Sequence, residues 1–141
     1  TAFDCADIYT GVEERIGRFL RAWHADPQAP RVRVHTKCVP DLAALPTLRP
    51  ADVDAIVERS RARLGVARLD LVQFHWWDFR VPGHVDAARR LAALRDAGTI
   101  ECVGVTNYDV PRLRELLDAG VPVVAHQLQW SVLDRRPSHG M

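Results

Sequence analysis

The chain has 141 residues, of which 48% are hydrophobic, which is enough for one domain with a buried core. Its 19 basic and 18 acidic residues leave a formal net charge of +1, so there is neither a basic surface for nucleic acid nor an acidic tail. No apolar run approaches the roughly 18 residues of a membrane span, and no signal-like apolar segment is present. The composition predicts a globular protein with no nucleic-acid or membrane partner.

Three cysteines, Cys5, Cys38 and Cys102, lie far apart in the sequence. An odd number without a Cys-x-x-Cys spacing argues against both a disulfide framework and a zinc site. We therefore expect free buried thiols, no metal ion and a cytoplasmic location.

Segments with the spacing of strands and helices alternate along the whole chain. The opening stretch, residues 3–9, is typical of a strand that ends in two carboxylates and a phenol. The other predicted elements, in chain order, are a helix over residues 12–23, a strand over 31–36, a helix from Pro50 to a cap at Gly65, a strand over 69–74, a helix over 82–97, a strand over 100–105, a helix between Asp109 and Gly120, a strand over 121–125, and a loop over 134–141.

Residues 40–50 form a proline-marked loop, longer than the usual connection of about 2–6 residues. A loop of this length in a compact domain is often functional. A solvent-facing connection without a function is the alternative.

Strands that alternate with helices, with no hairpin signal between them, predict a parallel α/β sheet. Roughly five strands are too few for a closed (β/α)₈ barrel, so an open doubly wound sheet and an incomplete barrel both remain. No Gly-x-Gly-x-x-Gly follows a strand, which argues against a dinucleotide-binding Rossmann domain. The chain starts at Thr1, and its only methionine is Met141. A chain with such ends is expected to be a piece of a longer one, which favours the incomplete barrel. Residues 1–141 are then expected to form a single partial domain.

Polar side chains follow each predicted strand. In both α/β architectures the carboxyl ends of the strands form the active site. Read in order, these ends carry Asp4 and Tyr9, then Lys37, then His75, then Thr106 and Asn107, then Gln127.

This set of side chains suits proton delivery to a carbonyl or alcohol oxygen. A phenol with a pKa near about 10 is a poor acid at neutral pH unless a neighbouring ammonium stabilises its anion. A carboxylate can hold that ammonium, and a neutral imidazole can donate a hydrogen bond to a substrate oxygen. No nucleophile has its own base, so acyl transfer fits poorly.

The same residues resemble the motifs of the aldo-keto reductase family, in order and over essentially the whole chain. Three departures stand out: Thr106 replaces the usual serine, Thr10 stands where glycine is common, and no first strand or last two βα units are present. The matching segments are residues 4–9 with Glu13, Glu14 and Gly17; residues 34–37; residues 60–65 and 70–75; residues 98–100 and 104–107; Gln127; and residues 133–136.

The resemblance implies a (β/α)₈ barrel that uses NADPH, less often NADH, to reduce aldehydes and ketones. In that case Tyr9 is the proton donor, Lys37 lowers its pKa, Asp4 pairs with Lys37, and His75 orients the substrate carbonyl. Thr106, Asn107 and Gln127 then bind the nicotinamide carboxamide, and Trp76 and Trp77 form walls of the substrate pocket. Most of the contacts to the cofactor phosphates are expected in the missing βα units.

Other polar residues are expected to be structural. Asp7 is expected to be a hydrogen-bond partner at a helix start, and His35 and His126 to be packing or surface groups. His24, His84 and His139 are expected to be solvated. The arginine-rich helix faces, in residues 59–63 and 89–90, are expected to be ordinary charged exteriors with acid partners nearby.

Two alternatives to a working reductase remain. One is a non-catalytic nicotinamide-binding or regulatory protein on the same scaffold. The other is that this segment alone is inactive, poorly stable or oligomeric, because an open barrel leaves two sheet edges exposed.

Overall fold

The computed structural model describes residues 1–138, and the alternation predicted from the sequence is present throughout. The elements are β1 (Ala2–Asp4), α1 (Val12–Trp23), β2 (Arg33–Cys38), a 3₁₀ helix (Leu42–Thr47), α2 (Pro50–Leu64), β3 (Leu69–Phe74), α3 (His84–Asp96), β4 (Ile100–Thr106), α4 (Val110–Asp118), β5 (Val123–Gln127) and a second 3₁₀ helix (Arg136–Ser138).

Two strands begin two residues later than predicted. β2 starts at Arg33 because its ladder begins where β1 begins, with Ala2 opposite Arg33. β5 starts at Val123 because Pro122 has no backbone N–H to contribute to a ladder. The loop over residues 40–50 holds a 3₁₀ helix, whose first turn is capped by the Asp41 carboxylate accepting from the Ala43 N–H at 2.9 Å.

The five strands are parallel and lie in chain order, β1-β2-β3-β4-β5. A doubly wound sheet would reverse its order at a switch point, and this one does not. Successive right-handed crossovers in one direction leave every helix on the same face of the sheet. The architecture is therefore half of a (β/α) barrel, as the incomplete-barrel prediction required.

The sheet is strongly curved. The Gln127 side chain at the end of β5 donates to the Asp4 carboxylate at the end of β1 over 3.3 Å. In a flat sheet these outer strands would be about 19 Å apart, at roughly 4.8 Å per strand. The bend includes a register shift between Val103 and Gly104, where a Cβ on Gly104 would lie 2.9 Å from the Ala125 carbonyl oxygen. The curvature turns the five strand ends toward one point.

The helices cover the convex face and bury the apolar core, which includes Val34, Leu64, Phe74, Leu91, Val103 and Leu116. Helix α1 lies so close to α2 that a Cβ on Gly17 would come within 2.8 Å of the Leu64 carbonyl oxygen. No helix in residues 1–138 has the length and apolar character needed to cross a bilayer.

Glu13 and His84 are among the polar residues that are buried. Glu13 is fully buried, accepting from the Thr36 hydroxyl at 2.6 Å and from Arg63 at 3.3 Å. His84 is also buried, and its Nε2 lies 3.0 Å from the Glu115 carboxylate. The expectation of a solvated position is therefore wrong for His84, because α4 and the Phe79 ring pack against it. Arg63 keeps part of its side chain exposed and pairs with Glu13 and Glu14, as expected for a charged exterior with acid partners. His139 lies outside the described residues.

The three cysteines are free thiols, as predicted, and two of them are buried. Burial raises the pKa of Cys5 to about 11 and raises that of Cys38 further. Neither forms a thiolate readily near neutral pH.

Candidate active site

A cleft of about 390 Å³ opens at the carboxyl ends of the strands. Each strand, or the turn that follows it, supplies a polar side chain to its lining. The residues that it brings together are Asp4, Tyr9, Lys37, His75, Trp77, Thr106, Asn107 and Gln127. All but one of the site residues expected from the sequence therefore line a single cavity.

Lys37 lies on the concave face of β2, almost wholly buried. Its Nζ donates to the Asp4 carboxylate and to the Cys5 carbonyl oxygen, both over 2.8 Å, and lies 5.7 Å from the centroid of the Tyr9 ring. An ammonium in this position is held by a carboxylate and faces a phenol. This is the arrangement that the sequence suggested for Asp4, Lys37 and Tyr9.

Tyr9 lies on the connection between β1 and α1, and 46% of it is exposed, toward the cleft. A turn closed by the Tyr9 N–H to the Ala6 carbonyl, at 3.0 Å, directs its ring over Lys37. Gly11 then enters α1 with φ 73°, a left-handed conformation that favours glycine. The chain thus reverses direction within a few residues and leaves the ring at the rim.

Asp7 anchors this connection to the rest of the domain. Its carboxylate accepts from the Val39 N–H at 3.1 Å and from Arg59 at 3.2 Å, while Arg63 donates to the Asp7 carbonyl oxygen at 2.8 Å. Burial raises the pKa of the Asp7 carboxyl to about 6, despite the opposing hydrogen bond from Val39 and the charge of Arg59. Asp7 is structural, as expected, but it ties two loops together and does not cap a helix.

His75 follows β3 and faces the cleft. Its Nδ1 lies 2.9 Å from the Thr106 hydroxyl, and its ring packs edge-on against Trp77 with centroids 4.5 Å apart. Its Nε2 is buried and has no hydrogen-bond partner among residues 1–138. Burial lowers the pKa of His75, which favours the neutral ring. One nitrogen is therefore held by Thr106, and the other is left without a partner in the described part of the chain.

The ends of the neighbouring strands β4 and β5 are linked to each other at the rim of the cleft. The Asn107 N–H donates to the Gln127 carbonyl oxygen, and the Asn107 side-chain oxygen accepts from the Gln129 N–H, each over 2.9 Å. Asn107 has φ 55°, a left-handed conformation that asparagine tolerates better than most residues. These contacts hold the Asn107 and Gln127 amides side by side at the rim.

The two tryptophans after His75 have different environments. Trp77 lines the cleft and donates from Nε1 to the Pro40 carbonyl oxygen at 2.8 Å. Trp76 is buried in the core against Phe74, and its Nε1 donates to the carbonyl oxygens of Asp78 and Val81. The expectation that Trp76 forms a wall of the pocket is therefore wrong, because successive side chains after β3 point to opposite faces of the sheet.

Among the cleft residues that the sequence reasoning missed are two with large apolar side chains, Ile8 and Val39. Ile8 directly precedes Tyr9, and Val39 directly follows Cys38, so both adjoin residues that the sequence analysis had named. A strand-end position was the available signal. Within the described part of the chain, no group of three or more histidine, cysteine or acidic side chains is arranged to hold a metal ion.

The parallel half-barrel, with its cleft at the carboxyl ends of the strands, places the protein among the (β/α) barrels. Residues 1–141 match the model of the aldo/keto reductase family, and the chain belongs to that family. The resemblance inferred from the motifs is thereby confirmed.

Two curated relatives cover almost the whole chain. Methylglyoxal reductase DkgA of Yersinia pestis is 29% identical over 98% of this chain and 47% of its own length. Flagellar radial spoke protein 5 of Chlamydomonas reinhardtii is 27% identical over 92% of this chain and 31% of its own length. The chain spans less than half the length of either relative.

Solved structures share the fold. An aldo-keto reductase complexed with NADPH superposes with a TM-score of 0.80 at 22% identity, covering 97% of this chain and 43% of that one. A thermostable aldo-keto reductase bound to epalrestat has a TM-score of 0.78 at 26% identity, covering 96% and 47%. The predicted fold class, an incomplete (β/α)₈ barrel, is confirmed.

Proposed function

We propose that this site reduces an aldehyde or ketone to an alcohol, using NADPH or NADH as the hydride source. The observation that carries the proposal is the convergence of Asp4, Tyr9, Lys37 and His75 on one cleft. A family relative is named as a methylglyoxal reductase, and one solved neighbour is described as complexed with NADPH, which supports this reaction class. The substrate is a small-molecule carbonyl compound.

Proton delivery falls to Tyr9. As negative charge develops on the substrate oxygen, the Tyr9 hydroxyl donates its proton to it. The Lys37 ammonium, 5.7 Å from the centroid of the Tyr9 ring, would stabilise the resulting phenolate by its charge. Asp4 accepts from Lys37 and holds the ammonium in place.

His75 orients the substrate oxygen. A neutral imidazole can donate from Nε2 only in the tautomer whose Nδ1 carries no proton, and that Nδ1 can accept a hydrogen bond. The Thr106 hydroxyl lies where it can donate to Nδ1. With Thr106 as the donor, the ring carries its proton on Nε2, where it would orient the same oxygen that receives the proton from Tyr9.

The far side of the cleft suits a carboxamide. The side-chain oxygen of Asn107 accepts a hydrogen bond from Gln129, so its NH₂ group remains as a donor. The side-chain NH₂ of Gln127 donates to Asp4, so its oxygen remains as an acceptor. A carboxamide presents one carbonyl oxygen and one NH₂, so Asn107, Gln127 and the Thr106 oxygen complement it. When bound there, the reduced nicotinamide supplies the hydride to the carbonyl carbon. Thr106, Asn107 and Gln127 orient its ring.

Replacing Tyr9 by phenylalanine tests the reaction. We expect Tyr9→Phe in the full-length protein to lower kcat by about 10²–10⁴-fold, because the proton donor is lost. Consumption of NADPH with methylglyoxal and larger aldehydes, followed by absorbance, measures this. Cofactor binding and the circular dichroism spectrum serve as controls for folding. Turnover that survives the substitution unchanged would contradict the catalytic role of Tyr9.

A non-catalytic nicotinamide-binding protein is the second candidate. It is favoured by the relative named as a flagellar radial spoke protein. The buried Lys37–Asp4 pair argues for the reductase, since binding alone does not need an ammonium beside the phenol. Saturable NADPH binding without turnover of any carbonyl compound would identify the second candidate.

A further inference from the structure

A second and larger depression adjoins the cleft. This groove, of about 880 Å³, lies between the connection from β1 to α1, the segment from Val39 to Leu48, and helix α2. We name it the distal groove. Ile8, Val39 and Trp77 line both the cleft and the groove, so the two cavities share a wall. A molecule that reaches Tyr9 can continue past these side chains without leaving the protein surface.

The rim of the distal groove exposes large apolar side chains. Ile8, Leu42 and Trp77 are 50%, 57% and 47% exposed, and all three line the groove. Exposed apolar side chains gathered around a concavity indicate a binding surface more strongly than scattered ones do. A ligand that covered them would remove this apolar area from water.

The walls of the groove are held in place by hydrogen bonds. Trp77 donates to the Pro40 carbonyl oxygen, and Asp7 accepts from the Val39 N–H. Asp41 caps the 3₁₀ helix that carries Leu42. The groove is therefore formed before any ligand arrives, which limits the entropy lost on binding.

Four of the five charged residues that line the groove have an ion-pair partner, and the fifth, Asp41, accepts a hydrogen bond from the Ala43 N–H. The charged lining residues are three carboxylates and two guanidinium groups: Asp7, Asp41, Asp52, Arg59 and Arg63. Arg59 contacts Asp7, Arg63 contacts the two acids Glu13 and Glu14, and Asp52 contacts Arg49. Both lining cations already contact carboxylates and Asp41 adds a negative charge, so the groove favours an uncharged apolar chain over a carboxylate.

From these observations we infer that the distal groove is the subsite for the non-reacting chain of the carbonyl substrate, and that the protein prefers aldehydes or ketones with an extended, uncharged apolar chain. This inference rests on the proposed reduction at Tyr9. It distinguishes the protein from one adapted to methylglyoxal, which is too short to reach past Trp77.

The direct test is a chain-length series from propanal to decanal, reduced by the full-length protein. We expect kcat/KM to rise by about threefold per methylene until the groove is filled, as burial of each methylene contributes to binding. An aldehyde of equal length that ends in a carboxylate should show no such gain. A flat series, or a preference for the carboxylate, would overturn the inference.

A pair of variants localises the effect. Leu42→Asp places a charge on the groove rim, and the ratio of kcat/KM for octanal to that for propanal should fall by about tenfold. Leu117→Asp changes a similarly exposed leucine on α4, outside the groove, and should leave that ratio unchanged. Equal ratios in the two variants would contradict the assignment.

Binding without turnover separates the two proposals. Octanol, the expected product of octanal, should shift the NMR signals of the Leu42 methyl groups and the Trp77 indole N–H, whereas ethanol should not. If octanol shifts both signals and no aldehyde is reduced, the result supports the groove inference and contradicts the proposed reduction. If aldehydes are reduced and octanol shifts neither signal, the reaction stands and the groove inference fails.

Discussion

At the scale of single residues, hydrogen bonds between side chains decide which atoms face the cleft. Asp4 holds the Lys37 ammonium, and Thr106 holds one nitrogen of His75. Asp7 holds the connection on which Tyr9 lies. Each contact joins different strands or loops, so each depends on the fold even though each residue was visible in the sequence.

Thr106 is expected to set the tautomer of His75. In Thr106→Val the hydroxyl is lost at nearly constant volume, and we expect the fraction of His75 protonated at Nε2 to fall. The ¹⁵N NMR signals of the imidazole, recorded without cofactor, measure that fraction. Turnover should fall by about tenfold, the value of one hydrogen bond of about 1.4 kcal/mol.

Thr106→Ser is the matched control, since it keeps the hydroxyl and should restore both the tautomer and the turnover. A valine variant in which His75 remains wholly protonated at Nε2 would show that Thr106 has no such role.

Asp7 is expected to make stability depend on pH. Its folded pKa of about 6 lies above the ordinary value of an aspartate, so the folded state binds the proton more tightly than the unfolded state does. The contribution of Asp7 to the free energy of unfolding is therefore greatest below about pH 4 and falls as the pH rises to about 6. The loss is on the order of 3 kcal/mol.

Urea unfolding between pH 4 and 7 measures this dependence. Asp7→Asn should remove the fall, whereas Asp118→Asn, at an exposed position on α4, should keep it. Parallel curves for the protein and Asp7→Asn would contradict the prediction.

At the scale of elements, the close approach of α1 to α2 brings the β1–α1 connection next to β2. Gly17 permits this approach, and the buried Glu13 links α1 both to Thr36 of β2 and to Arg63 of α2. Helix packing therefore helps to position the loop that carries Tyr9.

Gly17→Ala should destabilise the domain although alanine is the better helix former. The added Cβ would lie within 2.8 Å of the Leu64 carbonyl oxygen, so the helices must separate. We expect a net loss of about 1–3 kcal/mol from overpacking, measured by urea unfolding. Arg18→Ala, at an exposed position one residue on, should change stability by no more than about 0.5 kcal/mol. A Gly17→Ala protein as stable as the parent would refute the packing argument.

At the scale of the whole molecule, curvature forms the site. Five strands in chain order with a bend at Gly104 bring the end of β5 to the end of β1, where Gln127 meets Asp4. Because the same curvature gathers the intervening strand ends, the cleft contains residues as far apart in the chain as Asp4 and Gln129. The predictions that an isolated barrel segment is inactive, poorly stable or oligomeric belong to this scale and stay predictions.

The sequence by itself determined the order and type of the elements, the polar residues at the strand ends and the family. Such features are local, since strand and helix periods and helix caps depend on residues within a few positions of each other. Only the tertiary structure decided that Trp77 and not Trp76 lines the cleft, that Glu13 and His84 are buried, and that the distal groove adjoins the site. The reason is physical: burial depends on which distant segment covers a side chain, and that is set by the curvature of the sheet and the packing of the helices.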